Sequence, residues 1–173
     1  MTVSCCCTVL IRDAKPDEID AVIAVGLVAY QEYSNMMPPD AWDAYADNIR
    51  DAHSRLPESK LIVAEIGNIL VGAVTYYPID MDRINVVWPP DWAGIRLVAV
   101  KPESRGRGIG RLLVEECIRR SRDQSAAAVG LHTTPLMQLA ERMYRRIGFV
   151  RAPDYDFQSR PNFDVTAYMF DLK

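Results

Sequence analysis

The sequence predicts a single α/β domain of mixed architecture. Three observations predict it. Segments rich in β-branched and apolar residues alternate with segments of helical periodicity, as expected when helices pack on a central sheet. The chain has 173 residues, the length of one compact domain with a substantial core. A glycine-rich turn links an apolar strand directly to an amphipathic helix. No internal repeat or low-complexity linker interrupts the pattern, so residues 1–173 read as one domain.

Cys5 to Arg12, rich in Cys, Thr, Val and Ile, reads as the first strand. Asp13 to Asp17 turns the chain, and Pro16 suits a helix start. Ile19, Val22, Ile23, Leu27 and Tyr30 recur at helical spacing and give the first helix one buried face. Pro38 and Pro39 break the chain before a second helix, from about Asp40 to Arg55. Its acids Asp40, Asp43, Asp47 and Asp51 read either as a solvated face or as a wall for an amine. Lys60 to Ile66 and Ile69 to Tyr77 are strands joined by a Gly67-Asn68 hairpin turn. Pro78 to Ala93 is then a long connection containing Trp88-Pro89-Pro90-Asp91-Trp92. A loop of that length either lines an acceptor site or is a surface loop pinned by its tryptophans.

Ile95 to Val100 suits a central strand, apolar except for Arg96. Ile109, Leu112, Leu113 and Cys117 mark a helix to about Arg122. Ala127 to His132 is the next strand. Leu136, Leu139, Ala140, Met143 and Ile147 mark a further helix, which Gly148 stops. Phe149 to Ala152 and Val165 to Phe170 complete the order βααβββαβαββ.

Composition narrows the function. Hydrophobic residues make up 49% and charged residues 25%, an ordinary soluble profile. A net charge of −3 lacks the basic surplus of a nucleic-acid binder. No segment approaches the ~20 apolar residues of a membrane span, and no signal-peptide pattern appears. The expectation is a cytoplasmic protein with neither a membrane nor a nucleic-acid partner. Cys5, Cys6, Cys7 and Cys117 match no disulfide framework or zinc spacing. They read as small structural residues in a reducing compartment, with no metal expected.

The chemistry is concentrated in Val100-Lys101-Pro102-Glu103-Ser104-Arg105-Gly106-Arg107-Gly108-Ile109-Gly110. Alternating glycines let the backbone bend tightly and approach a ligand. The helix that follows presents unpaired N–H groups and the positive end of its dipole. Together these suit a phosphate or pyrophosphate, with Arg105, Arg107 and Arg111 adding positive charge. The dinucleotide pattern G-x-G-x-x-G fails, because Arg111 stands where its last glycine would be. The P-loop pattern fails for want of Gly-Lys-Ser/Thr.

What fits is R-x-x-G-x-G, as Arg105, Gly108 and Gly110. This resembles the acetyl-CoA motif of the GNAT superfamily of N-acetyltransferases. Arg96-Leu97-Val98-Ala99-Val100-x-Pro102 resembles that family's fourth strand. Ala140-x-x-x-Tyr144-x-x-x-Gly148-Phe149 resembles its helix-to-strand segment. The strong resemblance covers about Ile95 to Val150. It implies a mixed, mostly antiparallel sheet flanked by helices and splayed between strands 4 and 5.

The resemblance also implies a reaction: direct transfer of the acetyl group of acetyl-CoA to a primary amine of a small molecule or peptide. The pyrophosphate would rest on the backbone of Arg105, Gly106, Arg107, Gly108, Ile109, Gly110 and Arg111. The pantetheine arm would enter the splay and pair with backbone groups of Val98 and Val100, with Leu97 beside them. Tyr144 would protonate the departing thiolate, although a tyrosine in that stripe also suits plain core packing.

Two departures stand out. Where relatives carry a glutamate near the start of strand 4, this chain has Ala93, Gly94 and Ile95, which leaves Asp91, His132 or water as the base. Where relatives carry an asparagine seven residues before the tyrosine, it has Met137. His132 could act as a base or hold water, but fits better as a structural histidine at a strand end; Arg142, Arg145 and Arg146 could reach the CoA 3′-phosphate, but such a run is more often a solvated helix face. Glu32, Asp40, Asp43 and Asp80 favour a cationic acceptor. A non-catalytic acyl-CoA-binding module is the alternative. A homodimer would be usual for the family.

Overall fold

The computed structural model describes residues 8–81, 88–161 and 163–173. β1 (Leu10–Asp13) leads through a short 3-10 turn into α1 (Ile19–Tyr30). α2 (Pro39–Arg50) and the short α3 (Ala52–Arg55) precede a meander of β2 (Lys60–Ile66), β3 (Ile69–Tyr77) and β4 (Trp92–Val100). Then come α4 (Ile109–Asp123), β5 (Ala128–Thr133), α5 (Gln138–Ile147), β6 (Val150–Arg151), β7 (Phe157–Arg160) and β8 (Phe163–Asp171). The strand order is β1-β2-β3-β4-β5-β8-β6, with β7 beside β8. Only β4 and β5 run parallel among the described pairs.

The expected order holds, with four differences. The second helix, expected to run to about Arg55, breaks at Asp51 into α2 and α3. The first strand starts at Leu10, and the cysteine run Cys5–Cys7 lies outside the described residues. β4 begins at Trp92, so the expected loop from Pro78 donates its last residues to the sheet; residues 82–87 of it lie outside the described residues. β7 was not anticipated, because Phe157-Gln158-Ser159-Arg160 offers little hydrophobic alternation.

Two cores sandwich the sheet. On one side α4 and α5 pack Ile109, Leu113, Val114, Cys117 and Tyr144 against Ile95, Val129 and Leu131. Cys117 is fully enclosed, and burial pushes its thiol up, so it stays protonated and inert. On the other side α1 lays Val22, Val25 and Ala29 over Val63, Ala73 and Ala99. Each aliphatic side chain removed from water this way stabilises the fold by about 1.5–3 kcal/mol.

The second side is not fully roofed. Beyond the helices, Trp88 lies against Gly94 and Gly130, which are register partners on β4 and β5. A Cβ at Gly130 would stand 2.5 Å from the indole. Trp88 also stacks on His132 at 4.5 Å and meets Trp92 and Tyr155. Gly130→Ala is therefore expected to lift the indole from its seat and destabilise the fold by about 1–3 kcal/mol. Denaturant melts and a red-shifted tryptophan emission check this. Wild-type stability and spectrum would contradict the seating.

Candidate active site

The parallel pair β4–β5 comes apart. Pairing runs from Trp92↔Ala128 to Ile95↔Leu131 and stops, while β4 continues to Val100 and β5 to Thr133. The cause lies on the other edge of β4. Between Ala73↔Ala99 and Thr75↔Arg96, β4 carries one residue more than β3, and Leu97 takes φ 53°. A bulge of this kind bends its strand and increases local twist. Lys101 N–H donates to Val71 O, so alternation turns the backbone groups of Val98 and Val100 away from β3, toward the opening. The Tyr30 hydroxyl donates to Val98 O at 2.9 Å, and Arg105 Nε donates to Val100 O at 3.2 Å.

The glycine turn lies at the end of β4. Gly106 and Gly108 have φ 76° and 77°, and a Cβ on either would point into open space. Left-handed backbone here is what swings the chain into α4. Among the described residues, the N–H groups of Gly106, Arg107, Gly108, Ile109, Gly110 and Arg111 donate to no protein acceptor; the helical ladder begins with Leu112 N–H to Gly108 O. A row of unpaired donors at a helix N-terminus suits an anion such as pyrophosphate. Gly110 has a second role, because a Cβ there would press on Met143 Sδ at 3.2 Å.

The arginines of this turn differ. Arg105 is committed to the fold: its guanidinium donates to Ala29 O at 2.7 Å and pairs with Glu32 at 2.8 Å. Arg111 pairs with Glu115 at 2.6 Å. Arg107 is exposed and has no ion pair among the described residues. On α5, Arg145 pairs with Glu141 and donates to the Tyr168 hydroxyl, while Arg142 and Arg146 are exposed.

Tyr144 is buried at 5% exposure, beside Phe149. Burial pushes its phenol above the ordinary tyrosine range, reinforced by Tyr45 and Tyr33. Those tyrosines belong to the opposite side of the sheet, so the hydroxyl is within electrostatic reach of them across the opening. Its proton is held at neutral pH.

A cleft of about 530 Å³ opens at the splay, on the α1–α2 side. Leu97, Thr133, Thr134 and Met137 form its inner end. Ala41, Ala44, Tyr45 and Asn48 of α2 form one wall, and Phe157, Arg160, Phe163 and Val165 of the β7–β8 hairpin the other. Asp40 and Arg160 tie the walls together by an ion pair at 2.5 Å. Trp88 and His132 form the floor. His132 Nε2 lies 2.9 Å from Tyr155 O, which can only accept, so Nε2 carries hydrogen and the neutral ring keeps its lone pair on Nδ1. Burial lowers the pKa of this ring and keeps it neutral.

Two expectations fail here. None of Glu32, Asp40, Asp43 and Asp80 lines the cleft; Asp40 is spent on Arg160 and Glu32 on Arg105. Asp91 is exposed and lies outside the lining, whereas His132 lines the cleft. Sequence reading also missed Arg96, Tyr77, Thr133 and Thr134 as cleft residues. The signal for Arg96 was its charge inside an otherwise apolar strand.

A parallel strand pair parted at its carboxyl end, with an amide cradle on the helix that follows, is the GNAT architecture. The chain belongs to the acetyltransferase (GNAT) family, whose sequence pattern matches residues 27–149. Mouse N-acetyltransferase 8F1 is 31% identical over 93 residues, 54% of this chain and 40% of that protein, so the chain spans less than half of that relative. An acetyltransferase of the GNAT family from Staphylococcus aureus Mu50 superposes with a TM-score of 0.71 at 17% identity, over 96% of this chain and all of that one (100%). The PaiA N-acetyltransferase of Thermoplasma acidophilum, solved with coenzyme A, superposes with a TM-score of 0.67 at 13% identity, over 92% and 98% of the two chains. Among the described residues no helix is long and apolar enough to cross a membrane, and no group of three or more His, Cys, Asp or Glu is placed to hold a metal ion.

Proposed function

We propose that this chain transfers the acetyl group of acetyl-CoA to a primary amine. The observation that carries the reading is the row of unpaired N–H groups from Gly106 to Arg111 beside the open edge of β4. Those donors hold the pyrophosphate of the acetyl donor. The backbone of Val98 and Val100 lines the slot for its pantetheine arm. The thioester then faces the inner end of the cleft, where the amine binds.

The neutral amine nitrogen attacks the thioester carbonyl carbon. A C–N bond forms and the C–S bond breaks. The sulfur leaves with the proton of Tyr144, and the nitrogen gives up its own proton, through His132 or water, to restore the phenol. Acetyl-CoA and amine thus become amide and CoA, with atoms and charge balanced. Holding both reactants in one cleft supplies much of the rate. A backbone N–H near the bulge at Leu97 and Val98 steadies the developing oxyanion.

Thermal unfolding with acetyl-CoA, CoA and ADP tests the donor site. At ~100 times its dissociation constant, a ligand adds about 2.7 kcal/mol to stability. For a domain of this size that raises Tm by roughly 5–10 °C. The rise should be larger with acetyl-CoA than with ADP. No rise at millimolar acetyl-CoA would refute the donor site. Binding without turnover over a broad amine panel would make the chain an acyl-CoA-binding module instead.

A further inference from the structure

We infer that the acceptor is a small amino carboxylate with an apolar side chain, and that Arg96 holds its carboxylate. The inference rests on the transferase reading above and goes beyond it by naming the substrate class.

The first ground is the charge of the cleft. Among the described residues, its charged lining side chains are Arg96 and Arg160, and no carboxylate lines it. Arg160 is neutralised by Asp40, whose backbone carbonyl it also engages at 2.9 Å. Arg96 reaches the neutral Asn48 Oδ1 at 3.4 Å, lies beside the Tyr77 hydroxyl, and forms no ion pair among the described residues. An uncompensated guanidinium in a concave site is a receptor for a carboxylate.

The second ground is a set of buried hydroxyls lacking hydrogen bonds. Tyr77, Thr133 and Thr134 line the cleft and are 1%, 2% and 6% exposed, yet their oxygens have no partner of normal geometry. Burial raises the Tyr77 pKa, so that hydroxyl keeps a proton to donate. Buried polar atoms without partners are costly and rare in native folds. Their oxygens are enclosed, so a polar ligand in the cleft engages them after a side-chain rotation.

The third ground is shape. Arg96 directly precedes the bulged Leu97, where the acetyl carbonyl would sit, so carboxylate and reacting amine must lie close together on the acceptor. Much of the remaining lining is apolar or aromatic, including Met37, Trp88, Phe157 and Phe163, beside the polar Asn48, His132 and Ser159. This suits the side chain of an apolar amino acid and disfavours a polyamine.

The missing strand-4 glutamate then has a physical account. Of the three positions, Gly94 lines the cleft, and a carboxylate there would repel an acceptor that brings its own. The guanidinium charge also disfavours the ammonium form of the bound amine and so eases deprotonation.

Steady-state kinetics of the full chain with acetyl-CoA test this. L-leucine and L-phenylalanine are compared with their amides, with isoamylamine and phenethylamine, and with spermidine. The expected result is a kcat/KM for the free acids about 10- to 100-fold above the amides, as befits one charge-assisted pair. Arg96→Gln should collapse that ratio toward one by raising KM for the acids, and Arg96→Lys should restore part of it. Amides, decarboxylated amines or spermidine turned over as well as the acids would overturn the inference and leave the transferase reading intact. If no amine turns over, the transferase reading falls, and titration of L-leucine and leucinamide into the CoA-saturated protein decides the inference. Carboxylate-dependent binding lost in Arg96→Gln sustains it, and equal or absent binding overturns it.

Discussion

Gly108→Glu should abolish the stabilisation by acetyl-CoA, weakening affinity roughly 100-fold or more. The residue sits at the N-cap of α4 with φ 77° and open space at its Cβ, on the side where the unpaired N–H groups gather. A carboxylate there meets the pyrophosphate as a like charge and displaces charge-assisted bonds worth about 1.5–3 kcal/mol each. The backbone itself adds a folding cost of ~1 kcal/mol, since a side chain is strained at positive φ. Gly108→Ala carries the same strain without the charge. Calorimetric titration of both variants separates the two effects: alanine should bind measurably, glutamate should not. Wild-type affinity in a folded Gly108→Glu protein would refute the cradle.

Tyr144→Phe should lower kcat by about 10²–10⁴-fold, the range for loss of a general acid, with little change in acetyl-CoA affinity. In the proposed mechanism the hydroxyl acts on the leaving sulfur, after both substrates are bound. Since the folded protein raises the phenol pKa, the wild type keeps its acid beyond the ordinary tyrosine range, and no alkaline loss of kcat from this group is expected below pH 10. Stopped-flow measurement of CoA release checks both statements. Unchanged turnover in the phenylalanine variant would leave Tyr144 as a core residue. A matched loss of affinity would make its role one of packing.

The parts legible in the sequence are those encoded locally. Gly106 and Gly108 announce positive φ because few other residues adopt it, and the apolar spacing of α4 follows within a few turns. Tyr144 and Gly148 are likewise fixed by helical register and a helix stop. The splay was legible only through family resemblance, because it depends on a bulge at Leu97, a residue whose chemistry gives no hint of φ 53°. The cleft's charge was misread for a related reason. Asp40 looked like part of an acidic wall, but its partner Arg160 lies 120 residues away, and no local pattern announces that pair. Arg96 was visible as an oddity in an apolar strand, yet its meaning depends on which carboxylates fail to reach it. Thr133 ends β5 and Thr134 follows it without any motif, and only their unpartnered hydroxyls distinguish them.

The floor formed by Trp88 over Gly94 and Gly130 makes the depth of the cleft depend on a single side chain. Two strands contribute no side chain at adjacent positions, and one indole fills the gap between them. Such an arrangement behaves as a ruler. Replacing the indole with something smaller would lengthen the space available to an acceptor by about the thickness of an aromatic ring, without altering the strands, the glycine turn or Tyr144. Placing a side chain at either glycine would shorten it. Under the proposed reaction, acceptor length can therefore change through positions that take no part in the chemistry, which leaves selectivity free to drift while the transfer machinery stays fixed.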